Sequence, residues 1–283
     1  MAEQRMRPRT YPAGVPCWVD ATQSDVRAGA AFYGALFDWD FAAAGSPGAG
    51  PPYLFAQRDG LDVGGLGPTA SGRPTPAWIS HIACDDIVDA CLRIERAGGL
   101  VAVPPAEYGP YGRGALCADP QGAVFGLWKG RTHPGSQIVN VPGAWNFSDL
   151  RTPDPEAALA FYGDVFGWQA DADFGAGMIR LPGYGDHLAS TIDPGIRERQ
   201  AFAPAGFADV IAGLTVDPDA SGATWEIRFT VADRDASAGT AERLGATVAS
   251  RTDGEWTRDA VIVDPQGARL VVSQFAPPDA AGF

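Results

Sequence analysis

Ala31-Phe32-Tyr33-Gly34-Ala35-Leu36-Phe37-Asp38-Trp39 is the stretch that decides the architecture, because the chain writes it twice. It returns as Ala160-Phe161-Tyr162-Gly163-Asp164-Val165-Phe166-Gly167-Trp168. A second block, Asp119-Pro120-Gln121-Gly122-Ala123, returns as Asp264-Pro265-Gln266-Gly267-Ala268. Between the blocks Trp78 answers to Trp225, and Arg96-Ala97-Gly98 to Arg243-Leu244-Gly245. Two blocks repeated in the same order mark an internal duplication, which sets the domain plan before any local reading. It predicts one domain over 13–130 and a second over 144–276. The Pro- and Gly-bearing stretch 131–143 reads as the linker.

Each half has the same inner order. Cys17-Trp18-Val19-Asp20 reads as a short strand. Ser24 or Asp25 can cap the helix that follows, whose apolar face includes Val26, Tyr33, Leu36 and Phe37. In the second half Asp154 is the cap, and Pro155 suits the first helical position. Short strands follow around 53–55 and 62–63. Trp78 to Cys84 then reads as a strand and Ile87 to Ala97 as a helix stopped at Gly98. Asp-Pro-Gln-Gly is a tight turn, with Pro at its second position and Gly at its fourth. It leads into a last strand, 124–128 or 269–273. The expected fold is therefore α+β: a strand–helix–three-strand module used four times, pairing into two half-open barrels with helices outside.

Composition limits the function classes. The 283 residues carry a formal net charge of −13, which repels phosphate backbones and argues against nucleic acid. Hydrophobic residues make up 46% of the chain and charged ones 19%, which suits packed cores rather than disorder. The four cysteines, Cys17, Cys84, Cys91 and Cys117, lie in apolar surroundings without CxxC spacing and read as reduced, buried thiols. No apolar run is long enough to span a membrane, and residues 1–12 lack the apolar core of a signal peptide. The expected location is the cytoplasm. One lysine among 21 basic residues is the mark of a GC-rich genome.

The two repeated motifs resemble those of the vicinal oxygen chelate superfamily, which includes glyoxalases, extradiol dioxygenases and bleomycin-resistance proteins. Within it the chain is similar to the tandem glyoxalase-like proteins of actinomycetes, including the anthracycline pathway type. The resemblance implies the fold above and metal ligands (His, Gln or Glu) on the inner sheet face. Carried over by spacing, those positions fall on Trp18, Ile79 and Gly126 in the first half. In the second they fall on Phe147, Glu226 and Val271. The remaining position lies near Gly64 and Ala189. Only Glu226 among these could bind a metal, and a catalytic metal needs about three protein ligands. No metal and no cofactor are therefore expected.

Large rings stand at ligand positions instead. Trp18 and Phe147 are expected to enter the two cavities, with Tyr53, Phe55, Trp78, Tyr108, Tyr111, Trp128, Trp145, Trp225 and Trp256 as further walls. Asp20 and Asp149, two residues beyond Trp18 and Phe147, share the inward face. His81 sits two residues beyond Ile79 on the same face. Arg228 is its counterpart and is expected to pair with Glu226. His133 is expected in solvent and His187 beside the fourth strand of its domain. The stretch from Pro104 to Arg113 reads as a lid over the first cavity. An aromatic-lined pocket suits a flat apolar guest. The resemblance thus implies binding of a planar natural product such as an anthracycline, in biosynthesis or self-resistance. The alternative is metal-free acid–base chemistry on a polyketide or small carbonyl compound. The partners implied are that small aromatic ligand and a tailoring oxygenase, with the chain a monomer or homodimer.

Overall fold

A computed structural model describes residues 8–45, 53–69, 76–170, 177–201 and 203–278. Four modules follow one another. The first is β1 (Pro16–Gln23), α1 (Val26–Phe37), β2 (Asp40–Ala43), β3 (Leu54–Arg58) and β4 (Leu61–Pro68). The second is β5 (Trp78–Ala83), α2 (Ile87–Arg96), β6 (Leu100–Glu107), β7 (Gly112–Ala118) and β8 (Val124–Gly130). The third is β9 (Trp145–Thr152), α3 (Pro155–Phe166), β10 (Gln169–Ala170), β11 (Met178–Arg180) and β12 (Val210–Val216), with α4 (Tyr184–Thr191) and α5 (Ile196–Arg199) inserted before β12. The fourth is β13 (Thr224–Thr230), α6 (Arg234–Arg243), β14 (Thr247–Asp253), β15 (Thr257–Val263) and β16 (Arg269–Phe275). The strands form two eight-stranded mixed sheets, ordered β2-β3-β4-β1-β5-β8-β7-β6 and β10-β11-β12-β9-β13-β16-β15-β14.

Local chemistry explains the helix ends. Asp25, Asp86, Asp154 and Asp233 cap α1, α2, α3 and α6, each accepting from backbone N–H groups of the first turn. Helix α1 stops where Asp38 turns left-handed, and α3 where Gly167 does so without the Cβ penalty. The stretch read as a lid is an ordered hairpin. Residues 104–107 finish β6, and the Tyr108 N–H bonds the Gly112 carbonyl at 2.9 Å to close the turn into β7. No helix among the described residues is long and apolar enough to cross a membrane.

Two compact units draw segments from both halves of the chain. Unit 1 comprises 1–17, 80–135 and 148–225; unit 2 comprises 18–79, 136–147 and 226–283. Unit 1 has its own core, where α2 packs on α3 over Ile82, Phe125, Leu127, Leu150 and Tyr162. In unit 2 α1 packs on α6 over Val19, Tyr33, Trp78, Phe229 and Val272.

The repeated motifs lie in these cores. In unit 2 the buried Trp78 N–H donates to the Tyr33 hydroxyl at 2.9 Å, and that hydroxyl donates to Asp264 at 2.7 Å. In unit 1 Trp225 donates to Tyr162 at 3.0 Å and Tyr162 to Asp119 at 3.2 Å. The turn aspartates also accept their own loop's N–H groups: Gln121 and Ala123 on Asp119, Gln266 and Ala268 on Asp264. The turn glutamines reach the start of a helix in the other module of the unit. Gln121 bonds both backbone groups of Asp154, and Gln266 both of Asp25. Trp39 and Trp168 donate to the carbonyls of Gly143 and Gly14, each at 2.6 Å. Each motif thus ties a helix of one module to a turn of another.

Candidate functional site

Side chains alternate along each strand, so the residues that skip the cores define the sheet face opposite the helices. On β1, Val19 and Ala21 belong to the core of unit 2, which leaves Trp18 and Asp20 on the opposite face. There the Trp18 N–H donates to the Tyr53 hydroxyl at 2.8 Å, and that hydroxyl donates to Asp20 at 3.0 Å. Phe55 meets Tyr53 edge-on at 5.4 Å and lies 6.1 Å from Trp18. The Tyr53 ring lies on Gly65 and Gly67 of β4, where any Cβ would run into it. Burial raises its phenol pKa well above the usual value, and the Asp20 charge adds to that. Four residues expected at the site from sequence are therefore one contiguous cluster.

In unit 1 a second cluster forms over β5, β7 and β8. The His81 ring lies over Gly126, its register partner, where a Cβ would collide with it. Trp128 lies across Gly112 and Gly114 of β7, with Tyr108 tilted against it at 5.9 Å. Its N–H donates to the His133 carbonyl at 2.8 Å, and the His133 ring meets it edge-on at 5.9 Å. Tyr111 is half-buried, and its carbonyl accepts the N–H groups of Arg131 and His133. A cavity of about 400 Å³ in this unit is bounded by Trp128, Cys84, Tyr11 and Lys129. Sequence reading had not singled out Tyr11 or Lys129. Burial pushes the Cys84 thiol up to about 12, so it stands in the wall as a neutral group.

Phe147 is half-buried on β9. The Asp149 carboxylate covers Gly213, its register partner on β12. The fourth module carries charge instead. Arg228 donates to Asp259 at 2.5 Å, and the Ser273 hydroxyl bonds the same carboxylate at 2.6 Å. Glu226 accepts from Arg269 at 3.3 Å.

Several expected wall residues are elsewhere. Trp78 is 5% exposed inside the aromatic core of unit 2, packed on Tyr33 and Phe229, because it shares the parity of the helix side of β5. Trp145, the first residue of β9, is buried in the same core. Trp256 stands at 39% exposure near the β14–β15 turn, stacked on the exposed Phe275. Arg228 pairs with Asp259, which reaches it from β15 across β16, and Glu226 pairs with Arg269. His133 is 4% exposed rather than solvated, folded under Trp128. His187 lies on α4 and bonds Thr10, not a strand neighbour. Ala189 is on the same helix; the register equivalents of the Gly64–Gly65 pair are Ala212 and Gly213.

Similarity to known proteins now adds to this geometry. Residues 18–127 match the family model described as "Glyoxalase/Bleomycin resistance protein/Dioxygenase superfamily", and residues 147–273 match "Glyoxalase-like domain". The chain is 33% identical to "Putative glyoxylase CFP32" of Mycobacterium tuberculosis, covering 94% of this chain and 97% of that one. It is 32% identical to "Anthracycline biosynthesis protein DnrV" of Streptomyces peucetius, covering 96% and 98%. The chain belongs to the vicinal oxygen chelate superfamily. It has two glyoxalase-like domains in tandem. Solved structures agree on this fold. The Mn(II)-bound glyoxalase from Novosphingobium aromaticivorans superposes with a TM-score of 0.57 at 15% identity, over 93% of this chain and 82% of that one. The 2,3-dioxygenase LapB from Pseudomonas sp. KL28 gives 0.57 at 11%, over 96% of each.

Superfamily membership raises the metal question, and the residues present do not fit one. The carried-over ligand positions hold an indole N–H already donating to Tyr53, aliphatic Ile79 and Val271, bare Gly126, phenyl Phe147, and a glutamate engaged by Arg269. Among the described residues, no three His, Cys, Asp or Glu side chains gather into a group that could hold a metal ion.

Proposed function

We propose that this superfamily member binds a flat, largely apolar natural product of the aromatic polyketide type, such as an anthracycline, without a resident metal. The observation that carries the reading is the set of rings laid over glycine floors, above all Trp128 and Tyr108 on Gly112 and Gly114. Such faces offer offset stacking worth about 0.5–1.5 kcal/mol per ring pair beyond area burial. Tyr53 and Phe55, backed by the buried Trp18, supply a similar surface in unit 2, and Asp20 a carboxylate for a hydroxyl or amine. The naming of DnrV and of DauV from Streptomyces sp. strain C5 as anthracycline biosynthesis proteins supports the same ligand class. The role we assign is sequestration or delivery in the cytoplasm, to a tailoring oxygenase or in self-protection, by a monomer or homodimer.

One observation favours a second reading. The Trp18–Tyr53–Asp20 chain of hydrogen bonds joins a buried phenol to a carboxylate, a pairing able to exchange a proton with a bound carbonyl compound. Incubation with daunorubicin, followed by tryptophan fluorescence and mass spectrometry, separates the two. Saturable quenching with unchanged ligand mass is the expected result. A new ligand mass would replace binding by catalysis, and absence of quenching would remove the ligand class.

A further inference from the structure

Strand register matches residues of the second module with residues of the fourth. His81 faces Gly126 as Arg228 faces Val271. Gly114 faces Trp128 as Asp259 faces Ser273. The Tyr108 N–H closes its hairpin on Gly112 as the Gly254 N–H does on Thr257. The rings and glycines of the second module have no ring or glycine partner at most of these positions. Where the second module has Tyr108 and Trp128, the fourth has Gly254 and Ser273. Where the second has Gly112, Gly114 and Gly126, the fourth has Thr257, Asp259 and Val271. The glycines matter because a Cβ at Gly112 would meet Trp128 at 2.8 Å, one at Gly114 would meet Tyr108 at 3.1 Å, and one at Gly126 would meet the His81 ring.

The fourth module fills the matching surface with its own groups. Asp259 is held by both Arg228 and Ser273, and Glu226 by Arg269. A flat apolar guest there would have to desolvate or break these charge-assisted bonds without replacing them. The first and third modules differ in the same sense. Phe55 faces Gly65 where Met178 faces Gly213. Tyr53 covers Gly65, whereas the Asp149 carboxylate itself covers Gly213.

The geometry points to one flat-ligand site per chain, on the second module within unit 1 and so in the first half, with the matching face of the fourth module occupied by its Arg228–Asp259–Ser273 network. This rests on the binding function proposed above and fixes which half performs it. The test is isothermal titration of the full-length chain with daunorubicin and, in parallel, with Nile red, a flat uncharged dye of unrelated origin. One equivalent of each is expected. Tyr108→Ala, at a half-exposed position that leaves the cores untouched, and Trp128→Ala are expected to weaken both at least tenfold. Arg228→Leu, which lies outside that site, is expected to change the affinity of the first equivalent by less than twofold. Two equivalents, or tenfold weakening by Arg228→Leu, would overturn the assignment. One equivalent of Nile red with the same dependence on Tyr108, but no daunorubicin bound, would overturn the ligand class and uphold the asymmetry. Failure of both to bind would overturn both.

Discussion

Tyr33→Phe isolates one oxygen atom in the core of unit 2. Tyr33 is fully buried, and its ring packs against Phe32 at 4.9 Å and Trp78 at 5.2 Å. The substitution keeps that ring and removes only the hydroxyl. Two bonds go with it: the donation to Asp264 at 2.7 Å and the acceptance from Trp78 at 2.9 Å. Asp264 keeps Gln23 at 2.9 Å and the N–H groups of Gln266 and Ala268. Trp78, 5% exposed, is left with a buried N–H that has lost the Tyr33 oxygen as its acceptor. A bond to a charged group contributes about 1.5–3 kcal/mol, and a stranded buried donor costs about 1–3 kcal/mol. The expected destabilisation is about 3 kcal/mol, read by urea denaturation with an unchanged m-value. For a body of this size that corresponds to a fall in Tm of roughly 6–12 °C. Trp78→Phe removes the same indole bond from the other end, so the double variant should show a coupling of at least about 1 kcal/mol. A single-variant loss below about 1 kcal/mol, or additive effects of the two, would show that the Trp–Tyr–Asp chain does not hold the unit.

Gln121→Ala and Gln266→Ala each remove the side-chain clasp on a helix start, at Asp154 and Asp25, and should each lower stability by about 1–2 kcal/mol. Equality with wild type in urea denaturation would refute this. Burial raises the Asp119 pKa, against the pull of the Ala123 and Gln121 N–H groups and the Tyr162 hydroxyl. The folded state therefore holds this proton where the unfolded chain has released it, and this group's contribution to stability falls as pH rises from the unfolded value of 3.8 through the raised one. Against Asp119→Asn, wild type should gain relative stability on acidification across that window, and a relative loss would refute the assignment. The buried thiols, all with pKa pushed upward by burial, should react with a disulfide reagent far more slowly at pH 8 in the native protein than after unfolding. Rapid native labelling of Cys84 would show that the cavity beside it is wider than its walls indicate.

The duplication was legible because its blocks sit at positions where packing tolerates few alternatives. Asp25 and Asp154 announced their helices through the capping rule, and the tight turns through Pro and Gly at fixed places. Helix α4 was not legible. It is eight residues long, begins at a left-handed glycine without a side-chain cap, and draws its order from packing of Tyr184 and Leu188 in the core of unit 1. At the site, the Trp18–Asp20 parity was readable and brought Tyr53 and Phe55 with it. Trp78 was misplaced although the signal was present: it immediately precedes Ile79, and neighbours on a strand face opposite sides. The burial of His133 could not be read, since only the folded hairpin brings Trp128 and its carbonyl together. The Arg228–Asp259 pair depends on the register of β15 with β16, which sequence alone does not fix.

The repeated motif residues lie on one side of the strands, and several of the largest changes between the halves lie on the other. Tyr33 and Tyr162, Trp78 and Trp225, Asp264 and Asp119 are paired in identity, and every one is buried on the helix side. Trp18 and Phe147, His81 and Arg228, Trp128 and Ser273 differ, and all face the other way. Strand alternation makes this separation possible, because a residue can change on one face without moving its neighbour on the other. The motifs that reveal the superfamily are therefore those that join helix to turn within each unit. The opposite face carries rings over glycines in the second module and ion pairs in the fourth. Identity concentrated on the helix side can therefore survive a change of residues on the opposite face.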